Sequence, residues 1–598
     1  MKNILGICAG ISLLAAISCK KNLNEFLDKA PGVDVTENSI FSSRVNAESY
    51  VSTLYQFGMA SIFLSRDQTL INNPITGDNQ TGTIVGTLSG ATDESESQEE
   101  FTYVQQWNSA SITNSNIRNL EDFNYFKRWK AIRIANVLLE RIDEVPDADA
   151  TYKAQVKGEA QFFRALQNFE ILKRYGSFPI VKKRIANPDA AKIPRSTLEE
   201  CVNAIVKDCD DATGNLPTSY PVAQKGRATK LAALALKSRT LLYAASPLFN
   251  TATPYLSMAD AANNKLICYG NADNNRWNLA ADAAKMVLDE ASSAGVSLID
   301  VPANRDPAVA NRTQGNYWVA WERPDNSEVI IAEKTYGATS VFSFPWLHVV
   351  PAPFSGAFWA GNSVTHNFVR KYEKKDGTSQ VWSPAGGNDL TEKYNELDPR
   401  FKQTVAYNGA RWNAQVPIVE TFTGTTQIAE PKLGKGRAWM IKHIPEGLAS
   451  GASVVPNMAL YRLNEFYLNY AEALNEFSGP TPEAYAAVNA IRTRSGMPDL
   501  PEGLSKDQFR RRVRNERDIE LAFEDHRFWD IRRWLIAEDE GVMKGAMYGL
   551  RITKGTGALF NWVPYVFENR SFNKNMYLHP YDLAEVLKGN LVQNPGWE

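Results

Sequence analysis

The sequence predicts a mostly α-helical protein, built from tetratricopeptide-like helix pairs, with an irregular, loop-rich lobe that contains short strands. Two observations support this fold class. From about residue 32 to residue 300, apolar residues recur at spacings of three and four, as on one helix face: Trp129, Ile132, Ala135, Leu139 and Ile142. Between about 300 and 455 this periodicity disappears while Gly, Pro, Asn and Thr increase, and helical periodicity returns at Met458.

Start and stop signals place individual helices in the first region. Ser196 and Glu199 have the spacing of a capping box, so we expect a helix to begin there and to end at Gly214. Cys201 and Cys209 fall on this helix and are predicted to be small core residues rather than disulfide partners. Small residues and short loops allow such helices to pair closely. Because no strict repeat consensus is visible, an irregular α-bundle stays open as the alternative.

Local patterns also mark the loop-rich insertion and the segment after it. Glu328–Ile331 is predicted to form a small strand. Val513–Trp534 is predicted to be one helix with alternating charges. Its Arg and Glu residues are expected to form ion pairs between packed helices: Arg514, Glu516, Arg517 and Glu520. The acidic run 92–100 is predicted to be a solvated loop.

The first residues indicate the compartment. Ile4–Ile17 is apolar, but at about 1.5 Å per residue it is too short to cross a hydrocarbon core of about 30 Å. We therefore expect residues 1–18 to be a lipoprotein signal peptide. Small residues directly before Cys19 resemble a bacterial lipobox, so Cys19 is predicted to carry a lipid anchor. An ordinary cleavage site with an incidental Cys is the alternative.

Motifs of catalytic and cofactor sites are absent from the sequence. The 5 histidines form no HExxH pattern, and no nucleophile elbow, phosphate loop or EF-hand spacing occurs. With a net charge of −2 and no basic tract, nucleic acid is not expected as a partner. We therefore expect no catalytic residue and no cofactor. A glycosidase carboxylate pair stays open among the 67 Asp and Glu residues, because sequence does not reveal their separation in space.

Aromatic residues concentrate in the loop-rich insertion. It contains the tryptophans Trp318, Trp321, Trp346, Trp359 and Trp382. Flat apolar sugar faces stack on aromatic rings, and the Pro and Gly residues around Trp346 and Trp359 disfavour regular packing. We therefore predict that Trp346 and Trp359 bind a ligand, together with Trp107 in the irregular stretch before the first clear helix. The alternative is that these rings belong to the core.

The segment Tyr461–Trp534 resembles the signature of the RagB/SusD family. The lipobox, the leader Asn24–Pro31, the helix pairs after Trp129 and the closing Gln593–Trp597 are similar to this family too. The resemblance therefore spans nearly the whole mature chain.

This resemblance implies a non-catalytic lipoprotein on the cell surface, held in the outer membrane through Cys19. Residues 19–245 would be the N-terminal SusD-like helical region and 246–598 the C-terminal RagB/SusD region, with 300–455 as the loop-rich, ligand-binding insertion and 456–598 as the helical signature segment. The protein would capture oligosaccharides for a SusC-like TonB-dependent transporter. A peptide-binding relative of the same fold and a surface glycoside hydrolase stay open. So does a structural calcium, because the sequence leaves a bound metal unknown.

Overall fold

The computed structural model describes residues 37–60, 88–97, 103–117, 125–185, 192–333, 362–414, 416–444, 446, 457–557 and 559–598. The N-terminal helices are α1 (Glu37–Ile40), α2 (Arg44–Ala60), α3 (Tyr103–Asn108), α4 (Tyr125–Arg141), α5 (Ala150–Tyr175), α6 (Leu198–Asn215), α7 (Lys230–Ala245) and α8 (Asn275–Ala291). From α4 onward, each long helix packs against the next one in the chain. Packing of successive neighbours is the arrangement of tetratricopeptide-like repeats, so the predicted fold class is confirmed.

The boundaries of these helices follow from local chemistry. At the start of α6 the capping box is formed by Thr197 and Glu200, not by Ser196 and Glu199: the Thr197 side chain accepts from the backbone N–H of Glu200, and the Glu200 side chain accepts from that of Thr197. The prediction is therefore wrong by one residue. α5 ends at Gly176, whose φ of +74° favours glycine.

The second half of the chain adds further helices and the strands. The described helices there are α9 (Asn316–Glu322), α10 (His366–Val369), α11 (Leu390–Glu396), α12 (Phe401–Thr404), α13 (Leu463–Ser478), α14 (Pro482–Arg494), α15 (Lys506–Glu520), α16 (Arg527–Arg533) and α17 (Leu583–Leu587). The strands are β1 (Ser95–Ser97), β2 (Val329–Glu333), β3 (Asn362–Val364), β4 (Val405–Ala406), β5 (Trp439–Met440), β6 (Met458–Arg462), β7 (Gly545–Lys554) and β8 (Phe560–Arg570). The predicted small strand near residue 330 is confirmed as β2.

The described strands form three antiparallel sheets. One has the order β1-β3-β5-β4, a second pairs β2 with β6, and the third is the long hairpin β7–β8. An aromatic core lies between the first sheet and the hairpin, and it includes Trp439 and Trp562, neither of which is exposed. Meanwhile α13 packs against α8, α14 and α15, so the helical series continues beyond the insertion.

Buried ion pairs connect the late helices to the strand-containing lobe. On α15, Glu516 accepts from Arg492 at 2.9 Å and from Arg400 at 2.5 Å, and Glu520 also contacts Arg400, at 3.1 Å. Arg517 binds Asp530 at 2.6 Å. The predicted ion pairs at Glu516, Arg517 and Glu520 are thus confirmed. Arg514 forms no ion pair among the described residues; its guanidinium lies 4.5 Å from the ring centroid of Trp534.

The prediction of a single helix over Val513–Trp534 is wrong. α15 ends at Glu520 and α16 begins at Arg527, and Phe523 and Asp525 between them have φ values of +61° and +62°. The backbone N–H of Phe523 donates to the side chain of Glu94 at 3.2 Å. The Glu94 carboxyl group therefore accepts a backbone N–H of this turn. Local periodicity does not reveal a partner so distant in sequence.

Residues 92–97 of the acidic run are also not the predicted solvated loop, whereas residues 98–100 lie outside the described residues. Asp93, Glu94 and Glu96 are each at most 2% exposed. Asp93 binds Arg527 at 2.8 Å and Lys371 at 2.7 Å. Because these cations lie far away in sequence, Asp93 can be buried as an ion pair although its own segment carries no positive charge.

Candidate functional site

Three of the predicted functional residues are not described by the structure. Cys19, Trp346 and Trp359 lie outside the described residues, so their roles stay predictions. No helix in the described part of the chain is both long and apolar enough to span a membrane.

Trp107, the third predicted ligand-binding ring, lies in the core. It is 1% exposed, and its ring centroid lies 5.2 Å from that of Phe528 and 4.9 Å from that of His579. The guanidinium of Arg532 lies 4.6 Å from the indole. The expectation of an exposed ring is therefore wrong, because α3 is enclosed by α16 and the C-terminal segment.

Other tryptophans of the insertion are also packed. Trp318 and Trp321 on α9 are buried, with ring centroids 4.3 Å apart. Trp382 is half-buried and lies 5.3 Å from Trp562 and 4.7 Å from His366, measured between ring centroids. Burial lowers the pKa of this histidine to about 3, so it is neutral. The core alternative holds for Trp318 and Trp321, and Trp382 is only partly accessible.

The strand pair β1–β3 shows where the aromatic segment 334–361 joins the described chain. Ser97, the last residue of β1, lies opposite Asn362, the first residue of β3. Because the strands are antiparallel, residues 98–102 and 334–361 are attached at the same end of this pair. The short helical turn Leu88–Ala91 packs beside β1: the Oγ atoms of Ser89 and Ser95 are 2.6 Å apart.

The side chains of Glu96, Gln105, Lys435 and Arg570 form a polar cluster at this strand end, which is called the polar floor below. Glu96 accepts from Gln105 Nε2 at 2.6 Å, from Lys435 Nζ at 2.9 Å and from Arg570. Burial acts to raise the pKa of Glu96, but the charges of Arg570 and Lys435 outweigh it and hold the pKa below its usual value. Glu96 is thus an ionised group held by Gln105, Lys435 and Arg570.

Three residues at the edge of this floor are partly accessible to solvent. The Lys435 side chain is 35% exposed and its Nζ lies 5.9 Å from the ring centroid of Phe567, which is half-buried. Gln105 is half-buried as well. An amide and an ammonium group are suited to hydroxyl groups, and an aromatic ring is suited to apolar sugar faces. Sequence analysis missed these three residues, because none belongs to a local motif and residues 105, 435 and 567 meet only in the fold.

Two carboxyl groups of this region, Glu94 and Glu96, have different pKa values, but neither is accessible to a substrate. Burial raises the pKa of Glu94 to about 8, whereas that of Glu96 is lowered. Such a difference is typical of glycosidase carboxyl pairs. Here, however, Glu94 is 2% exposed and binds the Phe523 backbone, while Glu96 is fully buried. Both carboxyl groups therefore support the structure. Among the described residues, no group of three or more His, Cys, Asp or Glu side chains is placed to hold a metal ion.

Family models match most of the chain. The model described as "SusD family" matches residues 313–597, and the model described as "Starch-binding associating with outer membrane" matches residues 26–242. The chain belongs to the SusD family. The RagB/SusD resemblance of Tyr461–Trp534 is confirmed, since this segment lies within the first match.

Individual relatives agree with this assignment. The SusD-like protein P38 of Formosa agariphila is 24% identical over 452 residues, which cover 73% of this SusD-family chain and 76% of that protein. A SusD-like protein of Bacteroides fragilis superposes with a TM-score of 0.75 at 25% identity, covering 95% of this chain and 100% of that one. A laminarin-binding SusD-like protein has a TM-score of 0.55 at 19% identity, covering 93% and 100%, and thus shares the fold.

Proposed function

We propose that this chain is a non-catalytic lipoprotein of the cell surface that captures an oligosaccharide and delivers it to a SusC-like TonB-dependent transporter of the outer membrane. One observation carries the proposal. In a SusD-family fold, the segment that contains Trp346 and Trp359 joins the described chain at the β1–β3 strand end, where Glu96 binds the partly exposed side chains of Gln105 and Lys435.

The proposed ligand-binding residues are Trp346 and Trp359, with Gln105, Lys435 and Phe567 beside them. Each stacking ring would contribute on the order of 1–3 kcal/mol to affinity, by analogy with base stacking. The relative named as laminarin-binding supports an oligosaccharide as the ligand class.

Calorimetric titration against a glycan panel tests this site. We expect Trp346→Ala and Trp359→Ala each to weaken binding on the order of tenfold or more, while both variants melt like the wild type. Phe477→Ala is the matched control, because Phe477 is an aromatic residue 36% exposed at the end of α13, outside the proposed site. If both variants fold and bind all glycans as tightly as the wild type, the site lies elsewhere.

Two further measurements test whether the protein delivers the oligosaccharide to a transporter and whether it lacks catalytic activity. Affinity purification of the lipidated chain from outer membranes should recover a TonB-dependent transporter, and incubation with a bound glycan should release no new reducing ends. Appearance of reducing ends with the purified protein would identify a hydrolase instead.

A peptide ligand is the second candidate, and one feature of the fold favours it. Among the described strands β2 pairs only with β6, and residues 329–332 line a groove of about 310 Å³. The groove also includes Val222, which is 91% exposed. An extended peptide adds to such an edge through main-chain hydrogen bonds. Saturable binding of a peptide mixture, lost in Ile330→Pro, would favour this candidate over the glycan.

A further inference from the structure

A groove separate from the β1–β3 junction lies between α4, the chain that follows α5, and the segment around α17. Its volume is about 370 Å³. Its walls are largely apolar and include Phe126, Trp129, Val181, Ile193 and Leu591. Phe126 and Trp129 are only half-buried, although they lie on the long helix α4. A helix face with two partly covered rings is suited to receive another apolar chain segment.

Basic groups surround this apolar floor. Arg133, Lys183, Arg184 and Lys588 line the groove, whereas Glu585 is the one carboxylate among its lining residues. Lys588 binds Glu585 at 2.8 Å, and Arg184 contacts Glu37. No ion pair is formed by Arg133 or Lys183 among the described residues. The groove therefore favours a segment in which apolar side chains are flanked by carboxylates.

The leader of this same chain has that composition and starts beside the groove. The described chain begins at Glu37, whose carboxylate contacts Arg184 at the groove edge. Upstream, the sequence reads Glu25-Phe26-Leu27-Asp28, two apolar residues between two acidic ones. Nine residues separate Leu27 from Glu37, and the ten steps between their Cα atoms can span about 33 Å when extended. The family match also begins at residue 26, inside the leader.

We propose that the leader docks into this groove, with Phe26 and Leu27 on the apolar floor and Glu25 and Asp28 near the basic rim. Docking has a consequence that rests on the proposed anchor at Cys19. The 17 residues 20–36 could extend to about 60 Å if free, whereas residues 20–25 alone reach only about 20 Å. A docked leader would therefore hold the N-terminal helices close to the membrane.

Trypsin cleavage after Lys29 tests docking without a membrane or a glycan, so its failure is separate from a failure of the proposed function. The substrate is the folded chain from residue 19 onward with Cys19→Ala. We expect Phe26→Ala/Leu27→Ala to speed cleavage at Lys29 on the order of tenfold, because removal of the buried side chains releases the leader. The matched control is Val33→Ala/Val35→Ala, which shortens two apolar leader residues outside the proposed contact.

The groove side is tested in the same assay. Trp129→Ala and Arg133→Glu should each speed cleavage, and a synthetic peptide of residues 22–28, which contains no trypsin site, should do so in the wild-type chain while a scrambled peptide does not. Melting curves identify any groove variant that unfolds; the leader variant leaves the folded body unchanged. Equal cleavage rates for wild type and Phe26→Ala/Leu27→Ala would overturn the proposal. The proposal would also be overturned if polygalacturonate, an anionic saccharide, sped cleavage at Lys29 while the leader substitutions had no effect. The groove would then be a saccharide site.

Discussion

Arg517→Ala is the sharpest test of the ion pairs that connect the late helices. Arg517 is 1% exposed, and its Nε donates to Asp530 at 2.6 Å while Nη1 donates to Asn469 at 2.6 Å. Its Nη2 lies 3.3 Å from His526 Nδ1. Without the guanidinium, Asp530 keeps only Arg533, at 2.7 Å, among its ion-pair partners in the described part of the chain. Removing one partner of a buried pair costs about 3–5 kcal/mol.

This cost sets the size of the expected thermal shift. An unfolding entropy of about 2.1 cal/mol/K per residue gives roughly 1.2 kcal/mol/K for a chain of this length. If the chain unfolds in one transition, Arg517→Ala should lower Tm by about 2–4 °C. Scanning calorimetry measures the shift, and urea unfolding gives the free energy directly.

Arg511→Ala is the matched control, because Arg511 lies on the same helix and is exposed. It should change the free energy of unfolding by no more than about 0.5 kcal/mol. A double-mutant cycle with Asp530→Asn should show a coupling of at least about 1 kcal/mol, since the two groups are in contact. Wild-type stability of Arg517→Ala together with lost glycan affinity would refute a structural role.

Three further changes give separate outcomes. Burial raises the pKa of Glu94 to about 8 from an ordinary 4.5, so the folded chain keeps a proton that the unfolded chain releases above pH 4.5, and stability falls as pH rises from 4.5 to 8. Glu94→Gln should therefore be more stable on the order of 3 kcal/mol at pH 7 and similar to wild type near pH 4, measured by urea unfolding; parallel pH profiles would contradict this. Trp107→Ala should destabilise by about 3–5 kcal/mol, because the buried indole leaves a cavity; a variant that melts like wild type but binds glycan weakly would restore Trp107 as a ligand residue. Cys19→Ala should move the protein out of the outer-membrane fraction, whereas unchanged fractionation would exclude the lipid anchor.

The sequence predicts those parts of the fold that depend on local periodicity. Helical pairs before residue 300, the buried Cys201 and Cys209 on α6, and a strand near residue 330 all follow from local patterns. The capping box was misplaced by one residue because Ser196-Thr-Leu-Glu-Glu200 contains two equivalent spacings. Only the backbone geometry distinguishes them, since Thr197 has the extended conformation of an N-cap.

Features that depend on distant partners could not be read from the sequence. The acidic residues 93–96 appear solvated in their local context, yet their cations lie more than 270 positions away, at Lys371, Lys435, Arg527 and Arg570. Trp107 likewise stands in an irregular stretch, and its burial depends on Phe528 and His579. In both cases an exposed segment was predicted because the covering residues come from the far end of the chain.

The buried acidic strand also explains how the proposed ligand segment is positioned. Glu96 is held from one side by Arg570 on β8 and from another by Lys435, while Thr365, the residue after β3, donates its backbone N–H to the carbonyl of Glu94 at 3.1 Å. These contacts fix the register in which Ser97 faces Asn362. Because residues 98 and 361 leave from that pair, the ion pairs of β1 determine where the aromatic segment joins the body. The charges that predict a solvated loop therefore support the strand, and the proposed ligand contact would rest on the rings of the attached segment and on the polar groups at the edge.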